Sequence, residues 1–303
     1  MPKNDGYTYR DLVRPADAGE QVLAYHAARF QHSSHAAWRR AIEDGQVLVN
    51  GVVADCERVL RAGDRLEFHR PPWEEPEAPL HFGVAYEDED VLVVDKPSGL
   101  QVLPAGAYHA NTLLYVVRRS SPARAQSSPV HRLGRGTSGL VLFGKHTRAL
   151  AFLSAQFRDF SATKTYLALA QGTALPVSCI ARHPIGTLPH GPLDVSCVQP
   201  GGRPSTTRLR VLARDHAHDR SLVAAQPITG RPDQIRIHLA ACGAPLVGDP
   251  LFGAGGLPIH AVRPGDGGYF LHATALSVRH PADGRLLKLR SRPDWLTDSS
   301  PGS

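Results

Sequence analysis

Two short stretches near the N-terminus carry apolar residues three or four positions apart, which is the spacing of one helix face. They are Leu23, Ala27 and Phe30 in the first stretch, and Ala37, Ala41 and Ile42 in the second. We predict a helix in each, with Ser33 or Ser34 capping the second helix and Gly45 ending it.

The residues that follow alternate between apolar and polar and predict a hairpin. The segment VLVNG at 47–51 runs into Asn50-Gly51, a pair that accepts the positive φ angles of a type I′ turn. A second tight turn at 62–64 leads into a predicted strand, RLEFH, at 65–69. The N-terminal region is therefore predicted to be a helix–helix–hairpin module.

Beyond residue 84 the pattern changes to short apolar runs bounded by turn residues. The run at 91–94 is mostly β-branched and ends at Lys-Pro-Ser-Gly, and similar runs occur at 141–143 and 166–169. Helical spacing is found at 147–158 and 234–242. Many strands with only two helical patterns predict an α+β domain with a mixed, mainly antiparallel sheet.

A proline-rich segment separates these two regions. Residues 71–79, PPWEEPEAP, hold four prolines and three glutamates, a composition that suits neither a helix nor a central strand. We therefore divide the chain into a tail at 1–10, a small domain at 11–70, a linker at 71–80, a large domain at 81–292 and a tail at 293–303.

Composition and charge narrow the class of protein. Hydrophobic residues make up 42 % of the 303 residues and charged residues 20 %, which indicates a globular chain. The net charge of +6 suits a polyanionic partner. Four cysteines without a CxxC pair argue against a zinc site or a disulfide framework. No signal-like or membrane-spanning apolar run is found, so we expect a cytoplasmic protein with no membrane partner.

Three segments concentrate polar, charged and glycine residues. They are HRLGRGTSGLVLFGK at 131–145, KTYLALAQG at 164–172 and ITGRPDQIRIHLAACGAPLVGDPLFG at 228–253. The glycines of the first segment allow a ligand to approach the backbone, but the segment fits neither GxxxxGK[ST] nor GxGxxG. These segments are the candidate site.

In this order the three segments resemble the RluA-type pseudouridine synthases. The family pattern is HRLDxxTSG, then KxYxAxxxG, then GRxHQIRxHL…GxPxxGDxxYG. The segments YEDEDVLVVDKPSGLQV at 86–102 and LHATALSVRHP at 271–281 are also similar to the family. Residues 33–68 resemble the αL-type RNA-binding domain that several RNA-modifying enzymes carry.

The resemblance implies the fold of the pseudouridine synthases, preceded by a small αβ RNA-binding domain, and isomerisation of uridine in RNA. The bond from the base nitrogen to ribose breaks, the base turns, and it rejoins through a carbon. No cofactor and no metal are expected. The implied partner is ribosomal or transfer RNA, with no obligate protein partner. The reaction needs a carboxylate at the sugar, as nucleophile or base, an arginine that orients it, and a tyrosine facing the base.

Mapped onto this chain, the resemblance makes Tyr166 the tyrosine and Arg236 the arginine. Without the family context they would be a sheet tyrosine and a helix-surface arginine. Residues expected to bind the substrate are His131, Arg132, Gly134, Arg135, Thr137 and Gln234, with Lys164 and His238 at motif positions that shape the site. Arg39 and Arg40 are expected to contact the RNA backbone, the alternative being a surface helix with solvated arginines.

One residue departs from the family in a way that affects the chemistry. Position 134 carries the catalytic aspartate in the family and is glycine here. The family also has histidine at position 233, where this chain has aspartate. Asp233 and Arg236 are three residues apart and share a helix face, so we hypothesise that Asp233 supplies the missing carboxylate. Alternatively, Asp233 is the N-cap of the helix. Asp249 and Asp95 are lesser candidates, placed by the family as residues that brace turns.

Two functions therefore remain open. One is an active synthase with a repositioned carboxylate. The other is a catalytically inactive RNA-binding relative that acts as an RNA chaperone or assembly factor. A structure distinguishes them, because the enzyme requires a carboxylate oxygen within hydrogen-bonding distance of the Arg236 guanidinium.

Overall fold

The computed structural model describes residues 3–30, 33–190, 193–259 and 268–296. The chain forms two compact units, Met1–Pro76 and Glu77–Ser303. Their boundary lies inside the Pro/Glu segment at 71–80.

The first unit is a four-stranded antiparallel sheet with two helices. Its strands and helices are β1 Tyr7–Leu12, α1 Val22–Arg29, α2 His35–Glu43, β2 Val47–Val49, β3 Val52–Val53 and β4 Arg65–Arg70. The strand order is β1-β4-β2-β3. The apolar faces of both helices pack with the inner residues of the sheet in one buried cluster.

The predicted helix cap and hairpin turn of this unit are both present in the structure. The Ser34 hydroxyl accepts a hydrogen bond from the backbone nitrogen of Ala37 at 3.2 Å, so the predicted cap of α2 is confirmed. Asn50 and Gly51 have φ angles of 54° and 81°, and β2 pairs with β3 across them as the hairpin requires. The expected tail at 1–10 is wrong in part. Residues 7–10 belong to β1, which completes the sheet by pairing with β4.

The second unit contains three α-helices and twelve strands within the described residues. The helices are α3 Leu113–Ser120, α4 Thr147–Arg158 and α5 Gln234–Ala241. The strands are β5 Gly83–Glu87, β6 Val91–Lys96, β7 Ser128–Pro129, β8 Ser138–Gly144, β9 Thr163–Gln171, β10 Ser178–Ala181, β11 Ile185–His190, β12 Leu193–Val198, β13 Thr207–Asp215, β14 Arg220–Pro227, β15 Leu271–Arg279 and β16 Leu286–Arg290. Helix α3 is not predicted from the sequence, because it has only eight residues and its apolar residues form one continuous run at 113–117.

One sheet organises this unit. Its strand order is β10-β13-β14-β9-β15-β8-β6-β5, with β16 paired to β15 and β7 paired to β8. The pair of β8 and β15 is parallel, and the other pairs along this order are antiparallel. Strands β11 and β12 form a separate hairpin. The predicted α+β class with a mixed, mainly antiparallel sheet is confirmed.

The helices cover different faces of this sheet. Helices α3 and α5 pack with Tyr166, Ala168 and Ala225 in the larger apolar cluster. Helix α4 packs through Leu153 against the opposite face, in a second cluster. The face that carries Tyr166 therefore also receives α5, and this places the two predicted catalytic elements on one side of the sheet. In the described part of the chain, no helix is both long enough and apolar enough to cross a membrane.

Candidate active site

Arg236 projects from α5 and uses all three nitrogens of its guanidinium group in hydrogen bonds to carboxylates. The residue is 3 % exposed. Its Nε and Nη2 donate to the two carboxylate oxygens of Asp249, both at 2.8 Å, and its Nη1 donates to Oδ1 of Asp233 at 2.7 Å. Arg236 is therefore not a surface arginine, and two carboxylates lie within hydrogen-bonding distance of its guanidinium.

Asp249 is the buried one of these two carboxylates. Its side chain is 1 % exposed, and besides Arg236 it accepts from the backbone nitrogens of Leu251 at 2.9 Å and Phe252 at 3.2 Å. With four donors around it and almost no contact with solvent, Asp249 braces the turn that follows it and anchors Arg236. This geometry leaves no room for a substrate at its oxygens.

Asp233 differs from Asp249 in exposure and in backbone conformation. It precedes α5 with φ 52° and ψ 16°, the left-handed region, which costs about 1 kcal/mol and which aspartate tolerates better than most residues. Asp233 occupies the N-cap position of α5 as predicted, but its side chain accepts no hydrogen bond from a backbone nitrogen of the helix, so the expected capping is wrong. Instead the carboxylate turns back to Arg236 and stays 31 % exposed. Within the described residues Oδ2 accepts no hydrogen bond.

Two aromatic rings surround the guanidinium. The Cζ atom of Arg236 lies 4.3 Å from the ring centre of Tyr269 and 4.8 Å from that of Phe252. Burial alone would lower the pKa of Arg236, but the hydrogen bonds that it donates to Asp249 and the negative charge of Asp233 outweigh burial and raise that pKa. The cation is therefore fixed in place and stays charged between its two neighbouring carboxylates.

The loop at 131–137 contacts the hydroxyl of Tyr269, one of the two aromatic residues beside Arg236. The backbone nitrogen of Thr137 donates to the Gly134 carbonyl at 3.1 Å, and the Thr137 hydroxyl lies 3.2 Å from the Tyr269 hydroxyl. A Cβ atom added at Gly134 would lie 3.0 Å from the Tyr269 hydroxyl. Contacts thus run from Gly134 through Tyr269 to Arg236, and onward to Asp233.

A buried lysine fixes the backbone of this loop. Lys96 is 1 % exposed, and its Nζ donates to the carbonyls of Pro97, Leu100 and Arg135 at 2.9, 2.7 and 3.2 Å. The Ser98 hydroxyl also donates to the Gly136 carbonyl at 2.7 Å. Burial lowers the pKa of Lys96 to about 7. The segment 96–100 therefore holds the loop by the carbonyl groups of Arg135 and Gly136.

Tyr166 lies in β9 on the sheet face that carries α5. It pairs with Ala225 of β14 and Ala273 of β15, and it is 9 % exposed. Burial raises its pKa to about 12, so the phenol is protonated at neutral pH. Its hydroxyl forms no hydrogen bond to the described residues. It shares the apolar cluster with Tyr269 and Leu133, the latter from the 131–137 loop.

Two predicted substrate contacts, His131 and Arg135, are engaged elsewhere. The His131 ring stacks on Phe157 with 4.7 Å between centres, its Nε2 accepts from the backbone nitrogen of Leu142 at 3.2 Å, and burial lowers its pKa to about 3. Lys164 lies over the same Phe157 ring at 5.2 Å. Arg135 donates to the Tyr108 hydroxyl at 2.6 Å. His131 therefore shapes the side of the loop that faces α4.

Gln234 uses its amide entirely within the protein, which corrects its prediction as a substrate-binding residue. Its oxygen accepts from the Thr229 hydroxyl at 2.7 Å and the Arg231 nitrogen at 3.0 Å. Its nitrogen donates to the Thr206 carbonyl and the Thr207 hydroxyl, both at 2.9 Å. All four hydrogen-bonding positions of the amide are occupied, so Gln234 holds the start of α5. His238 contributes in the same way through Thr207 at 2.8 Å.

Sequence reasoning missed Tyr269, Phe252 and Lys96. Phe252 and Lys96 lie inside family-like segments, GDPLFG and DKPSG, but the pattern alone assigned these residues only to turns. Tyr269 precedes the segment at 271–281 by two positions and carries no signal of its own. All three are defined by contacts between segments far apart in sequence.

Comparison with known proteins shows which family the chain belongs to. The RNA pseudouridylate synthase family matches residues 90–241, half of the chain. The chain belongs to this family. It is 40 % identical to an uncharacterised RNA pseudouridine synthase of Synechocystis, over 88 % of this chain and 92 % of that protein. It is 32 % identical to ribosomal large subunit pseudouridine synthase D of Neisseria meningitidis, over 90 % of this chain and 74 % of that protein.

Solved structures agree with the family assignment. The human RNA pseudouridylate synthase domain containing 1 is similar with a TM-score of 0.57 and 26 % identity, over 74 % of this chain and 88 % of that one. The protein is thus an RNA pseudouridine synthase, an isomerase acting on RNA. In its candidate site, Gly134 has no side chain and the Arg236 guanidinium contacts two carboxylates.

Proposed function

We propose that this pseudouridine synthase uses Asp233 as the carboxylate that acts on the ribose of the target uridine. The observation that carries the proposal is the hydrogen bond of 2.7 Å between Asp233 Oδ1 and Arg236 Nη1. Of the two carboxylates on Arg236, Asp233 is the exposed one and retains an oxygen without a partner among the described residues. Arg236 fixes the direction of this carboxylate through a charge-assisted hydrogen bond.

The reaction requires no net gain or loss of atoms. The bond from C1′ to N1 breaks, the uracil turns while held in the site, and a bond from C1′ to C5 forms. N1 gains a proton and C5 loses one, so the exchange balances within the base. Asp233 acts at the sugar and Arg236 orients Asp233. Tyr166 faces the base, where its protonated phenol gives its own proton to N1 and takes up the C5 proton in exchange.

Tyr166→Phe is expected to lower the rate of pseudouridine formation by about 10²- to 10⁴-fold, the usual contribution of a positioned acid–base group. The ring remains to support the base, so RNA affinity should change little. Tritium release from RNA labelled at C5 of uridine measures the step directly. Tyr115→Phe, which removes a tyrosine hydroxyl from α3 in the same unit, is the matched control and should keep the parent rate. Equal rates for Tyr166→Phe and the control would exclude this role.

The alternative function, a non-catalytic RNA-binding relative, lacks support. An Arg236 without a carboxylate at hydrogen-bonding distance would have favoured it, whereas the arginine contacts two. Because Arg236 is buried and fully paired, it is poorly placed to bind an RNA phosphate. The partly exposed Asp233 beside it can reach a substrate, which favours a reaction at that aspartate.

The substrate we propose is structured ribosomal RNA, with transfer RNA as the alternative outcome. Support comes from the Neisseria relative, whose name assigns it to the large ribosomal subunit. The experiment is to map pseudouridine in RNA from cells without the gene, before and after incubation with the purified protein. New pseudouridine at defined positions identifies the RNA and the uridine together. No new pseudouridine in either RNA class would overturn the proposed activity.

We further propose that the N-terminal unit binds RNA through α2. Arg39 and Arg40 are exposed neighbours on this helix, while Trp38, Ala41 and Ile42 face the core. Phosphate contacts of this kind are independent of base sequence and are weakened by salt.

Replacing both Arg39 and Arg40 by alanine is expected to weaken RNA binding uniformly across sequences. The slope of log K against log salt should fall in magnitude by about 1 for each lost phosphate contact. Affinity measured between low and physiological salt tests this. Arg148→Ala with Arg158→Ala, on exposed positions of α4, removes the same charge from the other unit. A slope that falls equally in both variants would show a net-charge effect only.

A further inference from the structure

We infer that the Tyr269 hydroxyl binds the ribose 2′-hydroxyl of the target uridine, in the space that Gly134 leaves without a side chain. The inference deepens the proposed function and rests on it, because it names the part of the nucleotide that this side of the site recognises. Neither the sequence motifs nor the relatives assign Tyr269 a role.

The first argument is the space itself. Gly134 is exposed, whereas Tyr269 beneath it is 5 % exposed. A Cβ at position 134 would lie 3.0 Å from the Tyr269 hydroxyl and 3.5 Å from the Thr137 hydroxyl. The first distance is tighter than ordinary contact, so any side chain at 134 would displace or cover the phenol. The glycine therefore places no side chain over this buried pair of hydroxyls, and we call this uncovered position the opening.

The second argument is the relation of this opening to Asp233. The Tyr269 ring lies 4.3 Å from the Arg236 guanidinium carbon, and the same guanidinium holds Asp233 at 2.7 Å. The phenol and the proposed catalytic carboxylate are thus both fixed against one cation. A sugar that reaches Asp233 lies beside the opening over Tyr269.

The third argument is the chemistry of the ligand. Inside an RNA chain the 3′ and 5′ oxygens of a ribose are in phosphodiester bonds, so the 2′-hydroxyl is the only free hydroxyl of the sugar. That group both donates and accepts hydrogen bonds, and so does the Tyr269–Thr137 pair, whose oxygens are 3.2 Å apart. Burial raises the pKa of Tyr269, which keeps its proton available for donation at neutral pH.

The ring and the hydroxyl of Tyr269 have separable tasks. The ring packs against Arg236, and a phenylalanine retains this contact. The hydroxyl adds nothing to that contact, since its partner within the protein is Thr137. Tyr269→Phe therefore removes the proposed substrate contact while keeping the support of Arg236.

The test compares Tyr269→Phe with the parent protein on two synthetic RNAs that span the uridine found by mapping. One carries uridine at the target position and the other carries 2′-deoxyuridine. Single-turnover rates at saturating RNA are measured on both. We expect the parent protein to be about 10-fold slower on the deoxy substrate, the usual effect of one lost hydrogen bond. Tyr269→Phe should lose about 10-fold on the uridine substrate and nothing further on the deoxy substrate.

Gly134→Ala is a second substitution that tests the contact between the Tyr269 hydroxyl and the ribose. Its methyl group covers the hydroxyl without removing it, so it should slow the uridine substrate, and combining it with Tyr269→Phe should cost less than the product of the single effects. Gly83→Ala is the control, because a Cβ there meets only Asp95 at an ordinary 3.4 Å.

The outcomes separate this inference from the proposed function. An active parent protein with Tyr269→Phe equally slowed on both substrates, or slowed on neither, overturns the 2′-hydroxyl contact alone. A parent protein that forms no pseudouridine on the uridine substrate overturns the proposed activity, and the inference with it.

Discussion

Asp233→Asn is expected to lower the rate of pseudouridine formation by about 10⁴-fold, the usual loss when a catalytic side chain is removed from a set that acts together. Asparagine tolerates the left-handed backbone at φ 52° and offers an oxygen to Arg236 in the same place, so fold and site geometry should persist. What disappears is the negative charge at the sugar. The measurement is the single-turnover rate on the mapped RNA, with the melting temperature as a check on folding.

Asp219→Asn is the matched control for this substitution. Asp219 is the second aspartate at positive φ among the described residues, with φ 46°, and it lies in the exposed turn between β13 and β14. It should leave the rate at the parent value. If Asp233→Asn retained parent activity, the carboxylate that acts on ribose would have to come from another residue.

Arg236→Met is expected to destabilise the second unit by about 3 to 5 kcal/mol and to abolish turnover. The size of the effect follows from what remains after the substitution. Asp249, with a side chain 1 % exposed, would keep its charge without a counter-ion in the interior, and the exposed Asp233 would lose the cation that orients it. Denaturant unfolding monitored through the protein's own fluorescence measures the loss.

The control for Arg236→Met is an arginine that also pairs with aspartate but lies at the surface. Arg285 donates to Asp283 at 2.7 Å, with both side chains about half exposed. Because water screens this pair, Arg285→Met should leave the unfolding midpoint nearly unchanged. A similar small effect from Arg236→Met would contradict the view that Asp249 depends on this arginine.

Much of the fold follows from local signals along the chain. The predicted helix at 147–158 has the bounds of α4, and Asn50-Gly51 makes the turn that its dipeptide demands. The family and the α+β class followed from an ordered set of segments. These features are recoverable because each depends on residues close together in sequence.

The candidate site was only partly predictable, for a physical reason. Arg236 and Asp233 are three residues apart, so helical geometry places them together. Tyr269 reaches Gly134 across more than a hundred positions, and no local pattern encodes that contact. The backbone conformation of Asp233 was not predictable either, because an aspartate that caps a helix and an aspartate in the left-handed region can both stand directly before the helix. In the structure Asp233 is in the left-handed region and pairs with Arg236.

The position of β15 in the sheet has a consequence for biosynthesis. This strand, Leu271–Arg279, lies between β9 and β8, so it joins the two halves of the sheet although it is made after both of them. Until it emerges from the ribosome, β8 and β9 each present an unpaired edge. Such edges are prone to pair with other chains, so newly made protein depends on rapid insertion of β15. Premature termination shortly before this strand would yield an aggregating fragment rather than a smaller working enzyme.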